Sequence, residues 1–94
     1  MADSPKLSAK EQIILRMMIN TNKEMYGLQM VKDSGGQLRR WTIYVTLNRM
    51  EEKGLITSRV EDHADETRGI YRRLYKPTEM GRRRIVGLNR SESN

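Results

Sequence analysis

The hydrophobic positions of this chain change their period once, and that change divides it into elements. Ile14, Met17 and Met18, with Ile13 beside Met17, repeat at i, i+3 and i+4, the spacing of one buried helical stripe. Just ahead of them, Ser8-Ala9-Lys10-Glu11 has the S-x-x-E spacing in which a hydroxyl caps the third residue's N–H and the glutamate reaches back. A first helix is therefore predicted from Ser8 to near Asn20. A shorter helical pattern covers residues 25–33 and is closed by Ser34-Gly35-Gly36, whose paired glycines suit a left-handed helix end. Gly27 inside that pattern would cost roughly 1 kcal/mol relative to alanine. A third helix is predicted from Thr42, with Ile43, Leu47 and Met50 at i, i+4 and i+7 and a stop at Gly54.

Beyond Gly54 the period falls to two. Residues 55–61 place Ile56, Ser58 and Val60 on one face, and residues 70–76 alternate Ile70, Arg72, Leu74 and Lys76 against Tyr71, Arg73 and Tyr75. Both read as strands, joined by the polar residues 62–69 as a hairpin tip longer than a tight turn. Pro77 has no N–H for a ladder and is expected to end the second strand, while Thr78 can cap a last helix running to residue 88. Residues 1–7 read as a flexible leader, 8–88 as one domain and 89–94 as a polar tail. The resulting class is mainly α with a β-hairpin: three helices, a two-stranded wing and one C-terminal helix, the order of a winged helix-turn-helix.

Composition narrows what such a domain can do. The chain has 94 residues, which leaves room for one core, and 18 Lys+Arg against 12 Asp+Glu give a formal charge of +6. That balance favours polyanion partners, nucleic acid first and acidic lipid second. The absence of cysteine excludes disulfides, thiolate catalysis and the usual structural zinc sites, and the single histidine, His63, has no partner at metal-ligand spacing. No cofactor is expected. The longest apolar runs, Ile13-Ile14-Leu15 and Met17-Met18-Ile19, fall far short of the roughly 20 residues of a membrane span, so a cytoplasmic protein without membrane association is expected. No phosphate-cradling glycine loop or nucleophile elbow is present. Glu51 and Glu52 point about 100° apart on a helix and cannot serve one substrate as acid and base. An enzyme is rejected.

The run Thr42-Ile43-Tyr44-Val45-Thr46-Leu47-Asn48-Arg49-Met50-Glu51-Glu52-Lys53-Gly54-Leu55-Ile56 closely resembles the recognition helix and first wing strand of the PadR family of bacterial transcriptional regulators. Tyr26-Gly27-Leu28 agrees with it, as does the run from Tyr71 through Pro77-Thr78-Glu79-Met80-Gly81 to Arg84, so the resemblance spans residues 7–88. Pro77 departs from it, standing where the family usually has an apolar residue such as leucine. The resemblance implies a DNA-binding regulator. Similar regulators continue into a long C-terminal helical region that builds the dimer, whereas this sequence stops at Asn94. A homodimer must then form elsewhere or be weak, and the first and last helices are the available surfaces, with Ile13, Ile14, Met18, Ile85 and Leu88 as candidates.

Helical geometry locates the reading surface without the family. With Ile43, Leu47 and Met50 inward, Val45, Asn48 and Glu52 face the opposite side, flanked by Tyr44 and Arg49. Asn48 can bond adenine bidentately, Arg49 can reach guanine, and Val45 can touch a thymine methyl. Thr42 and Tyr44 offer hydroxyls to phosphates, and Arg39, Arg40, Arg59, Arg72, Arg73 and Lys76 offer cations to the backbone or minor groove. Glu61, Asp62, Asp65 and Glu66 make the start of the hairpin tip acidic and hold it away from phosphate. Trp41 reads as a packing residue, the methionines as core filler, and Arg82-Arg83-Arg84 as a solvated helix face. The expected activity is sequence-specific binding of double-stranded DNA by a transcriptional repressor. The alternative is a winged-helix module that binds another regulator or a polymerase subunit, and RNA binding is weaker for want of stacking aromatics among the basic residues.

Overall fold

The computed structural model describes residues 7–61 and 72–92, with the side chains of residues 88–92 excepted. The chain order is α1 (Ala9–Thr21), β1 (Met25–Tyr26), α2 (Gly27–Asp33), α3 (Ile43–Glu52), β2 (Ile56–Val60), β3 (Arg73–Pro77) and α4 (Glu79–Glu92). It is the winged helix-turn-helix expected from the sequence. Asp62, His63, Asp65, Glu66, Ile70, Tyr71 and the Leu88 side chain, for which the sequence carries expectations, lie outside the described residues and side chains.

Helix α1 begins with the predicted capping box. Glu11 N–H donates to Ser8 Oγ at 3.2 Å, and Ser8 N–H donates to Glu11 Oε1 at 2.9 Å. The helix ends at Asn22, which takes the left-handed conformation (φ 54°) and donates its N–H to the Met18 and Ile19 carbonyls. Ile14, Leu15 and Met18 are fully buried beneath α3, β3 and α4.

The second predicted helix starts two residues late. Met25 and Tyr26 are not helical but extended, pairing antiparallel with Tyr75 and Leu74, so the sheet has three strands in the order β1-β3-β2 and the central β3 is flanked on both sides. A two-residue strand carries no alternation to read. Gly27 accordingly occupies the first helical position, not the interior. Helix α2 closes as expected: Gly35 (φ 63°) and Gly36 (φ 93°) take positive angles, and buried Ser34 donates to the Val31 carbonyl while accepting from Leu38 N–H.

Helix α3 ends in a Schellman arrangement. Gly54 (φ 79°) donates to the Glu51 carbonyl and Leu55 to the Met50 carbonyl, with Met50 and Leu55 both buried. Leu55 then receives the chain returning from β3, because its carbonyl accepts the Thr78 N–H at 3.0 Å. Thr78 Oγ1 donates to the Gly54 carbonyl at 2.6 Å and accepts the Gly81 N–H at 3.1 Å, capping α4 and fastening it to the end of α3. Pro77 is the last residue of β3, paired with Ile56 and buried. Its missing N–H costs nothing there, since Thr78 supplies the next donor.

The core of Ile14, Leu15, Met18, Met25, Met30, Leu38, Ile43, Leu47, Met50, Leu55, Ile56, Tyr75 and Ile85 is continuous through all three layers. It takes in much of the surface expected for a dimer: Ile14, Met18 and Ile85 are buried, because α1 and α4 pack on each other within one chain. Of the five candidates only Ile13 retains partial exposure among the described side chains.

Glu11 carries a second connection. Its Oε2 accepts from Lys53 Nζ at 2.7 Å, joining the start of α1 to the end of α3. Burial pushes this carboxyl up, but the Lys53 hydrogen bond and charge, with the Ser8 amide, outweigh it and hold it below the usual glutamate value of 4.5. A lowered pKa contributes stability that is present above pH 4.5 and lost as pH falls through the folded value.

Two predictions follow from this packing. A Cβ on Gly81 would overlap the Leu55 carbonyl oxygen, whereas one on Gly87 meets nothing within 4 Å. Gly81→Ala should lower unfolding free energy by about 2–3 kcal/mol and Gly87→Ala should raise it by about 0.5–1 kcal/mol, read from urea midpoints. Glu11→Gln keeps an acceptor for Ser8 but loses the charge facing the partly exposed Lys53. It should cost about 1–2 kcal/mol at neutral pH, and the gap from the parent should close as pH drops below 4.5.

Candidate nucleic-acid interface

The outward face of α3 is presented by a sealed inner face. Ile43, Leu47 and Met50 are at most 1% exposed, while Tyr44 is 45% and Val45 52% exposed and Asn48, Arg49 and Glu52 are also open to solvent. The helix is coupled to the wing through side chains. Ser58 Oγ donates to Glu51 Oε2 at 2.9 Å, and Arg73 Nη1 donates to Ser58 Oγ at 3.2 Å. Strand alternation therefore turns Ser58, Arg73 and Tyr75 toward α3 and Thr57, Arg59, Leu74 and Lys76 away from it.

Between α3 and the wing lies an open groove of about 710 Å³, lined by Tyr26, Leu28, Tyr44, Asn48, Arg72 and Arg73 among others. Tyr75 forms its floor, and burial pushes its phenol above 10.0. At the wing entrance the Arg72 guanidinium lies over the Tyr26 ring, 5.2 Å from its centroid, and Tyr26 donates its hydroxyl to Glu61 Oε1 at 2.6 Å. Glu61 is thus engaged with the edge strand.

A smaller groove of about 390 Å³ on the other flank of α3 is lined by Thr42, Val45, Thr46, Arg49 and Lys53 together with Lys10. Thr42 flanks the helix start without capping it, its Oγ1 donating weakly to the Arg39 carbonyl at 3.4 Å.

The structure thus brings Thr42, Tyr44, Val45, Asn48 and Arg49 together on α3, with Arg72 and Arg73 across the larger groove and exposed Arg39 and Arg40 ahead of the helix. It does not bring Arg59 and Lys76 to them. Arg59 holds Glu24 bidentately at 2.9 and 2.7 Å on the far side of the sheet, and this hydrogen bond, aided by the charges of Arg59 and Lys76, keeps the Glu24 carboxyl below 4.5. Trp41 is a correction. It is not packed but 77% exposed, with Arg39 6.0 Å from its ring centroid, because the turn from Arg39 to Thr42 runs over the surface after Leu38 has entered the core. Lys10 and Tyr26 were not site candidates in the sequence, since neither belongs to a basic cluster or to the α3 face. Among the described residues no group of three His, Cys, Asp or Glu side chains is placed to hold a metal ion. No helix among them is long and apolar enough to cross a membrane.

A solvent-facing third helix tied to an antiparallel wing defines a winged-helix domain of the DNA-binding type. The model of the transcriptional regulator PadR-like family matches residues 14–86, and the chain belongs to that family. Among solved structures it is similar to smu.1704 from Streptococcus mutans, with 22% identity and a TM-score of 0.66 over 97% of this chain and 84% of that one. It is also similar to a PadR-like transcriptional regulator from Bacillus cereus, with 24% identity and a TM-score of 0.64 over 87% of this chain and 79% of that one. No curated protein matches it.

Gly27 sets where Tyr44 lies. A Cβ there would come within 2.9 Å of Tyr44 Cε1, the far part of a half-exposed ring, so the ring is what yields. Gly27→Ala should therefore displace the ring and shift stability by less than about 1 kcal/mol, read from the urea midpoint.

Proposed function

We propose that this PadR-like regulator binds double-stranded DNA sequence-specifically and represses transcription by occluding a promoter, with α3 in the major groove and the wing root on the backbone or minor groove. The observation that carries this reading is the α3 surface of Val45, Asn48 and Arg49, bare on a helix whose opposite side is fully buried. In its assigned roles, Asn48 bonds adenine through both amide atoms, Arg49 reaches guanine, and Val45 meets a thymine methyl. Thr42, Tyr44, Arg39, Arg40, Arg72 and Arg73 hold phosphates on either side, which sets register but carries no base information. The Glu51–Ser58–Arg73 chain keeps the wing at a constant distance from the helix. Arg59 and Lys76 stay with Glu24 on the far face and are assigned no contact.

A family of regulators and a formal charge of +6 support a nucleic-acid partner. Site residues gathered on one side of the molecule support a single duplex lying across α3 and the wing. Two copies on successive major grooves would suit a repressor, since a symmetric pair doubles the contacts and the occluded length.

Binding to duplex DNA should weaken steeply with salt, each phosphate contact adding about 0.9 to the log–log slope. Asn48→Ala or Arg49→Ala should each cost about 1–3 kcal/mol on the preferred sequence and relax base preference, whereas Arg72→Ala should weaken every sequence alike and lower the slope by about 1. Anisotropy titrations across a salt series measure all three, and footprinting on the DNA upstream of the chain's own gene locates the site. A flat salt response, or protection of no sequence by a chain that still binds heparin, would point instead to an acidic protein partner.

A further inference from the structure

We propose that Trp41 is a further DNA-contacting residue, its indole extending the recognition face of α3 by one turn; this rests on the DNA-binding reading above. Ahead of α3 one hydrogen-bonded turn leads into the helix: the Arg39 carbonyl accepts the Ile43 N–H at 3.0 Å and the Thr42 N–H at 3.3 Å. Trp41 lies in that turn, four residues before Val45 and seven before Asn48, the spacing that a helical register places on a single face. Its 77% exposure is the largest of any big apolar side chain among the described residues, and Val45, next along the same face, is 52% exposed.

Charge selects the partner. The Arg39 guanidinium lies 6.0 Å from the indole centroid and Arg40 is exposed beside it, so this apolar surface sits in a positive field at the entry to α3. Duplex DNA answers both features at once: phosphates meet the two guanidiniums, and the apolar groups of the groove wall, thymine methyls and deoxyribose, meet the ring. A rigid aromatic that loses its water against a partner contributes more than its share of the binding energy.

Trp41 is the single tryptophan of the chain, so its emission reports this residue alone. The intact protein is titrated at low salt with poly(dA-dT) and with poly(dA-dU), which lacks the thymine methyl, and anisotropy of labelled duplex is followed in parallel. The expected result is an indole emission that is quenched or moved to shorter wavelength, saturating with the anisotropy signal. Trp41→Ala should bind about tenfold more weakly or worse with unchanged circular dichroism, and Trp41→Phe should recover part of the loss. A smaller emission change on poly(dA-dU) assigns the ring to the thymine methyl, and an equal change assigns it to deoxyribose. Duplex binding with unmoved emission and a Trp41→Ala variant as tight as the parent overturns the inference and leaves the DNA reading standing. Absence of binding to either duplex overturns the DNA reading, and the role of Trp41 with it.

Discussion

The corner at Gly54 and Leu55 is the constraint on which the rest of the molecule depends. Within two residues the chain ends α3, enters β2 and receives the end of β3, and it does so with backbone groups that have few alternative partners. The Leu55 carbonyl takes the Thr78 N–H, the Gly54 carbonyl takes the Thr78 hydroxyl, and Gly81 lets the first turn of α4 lie directly on that backbone. Gly54 has to be left-handed for the carbonyls to point this way. Helix, wing and last helix are thereby set from one place, and the orientation of the α3 surface is inherited from it.

Electrostatics divides the wing cations into two groups. Arg59 is engaged with Glu24 behind the sheet, so its charge serves the attachment of the residues before β1. Arg72 and Arg73 lie on the groove side, and each is steadied by a neutral partner, the Tyr26 ring for one and the Ser58 hydroxyl for the other. Both guanidiniums remain exposed to solvent. Glu51 and Glu61, acidic groups beside the groove, accept hydrogen bonds from the Ser58 and Tyr26 hydroxyls.

Much of the fold was legible because its signals are local. The Ser8–Glu11 capping box, the glycine stops and the i, i+4, i+7 stripe of α3 each follow from residues a few positions apart, and all reappear in the structure. Strand β1 was not legible, since two residues contain no period and their extended state is imposed by the neighbouring β3. For the same reason Ile14, Met18 and Ile85 were offered to a dimer when α1 and α4 were read singly, although packing within the chain buries them. The α3 candidates followed from helical angle, whereas separating Arg59 from Arg72 required the partner of each. Trp41 was misplaced because hydrophobicity alone marks a side chain for the core and does not reveal a turn that leaves it outside.

The methionine-rich interior links chemical damage to cooperativity. Met18, Met25, Met30 and Met50 are at most 1% exposed, whereas Met80 is 47% exposed against the Gly54 corner. Peroxide meets the Met80 thioether in the native state, but it reaches the other four only when the packing around them opens. Sulfoxide formed inside is polar and does not fit back among Ile14, Leu47 and Tyr75, so a molecule oxidised while open does not regain this core. How fast the interior methionines oxidise is thus a gauge of how often the packing opens, and a ligand that binds only the closed fold would slow it.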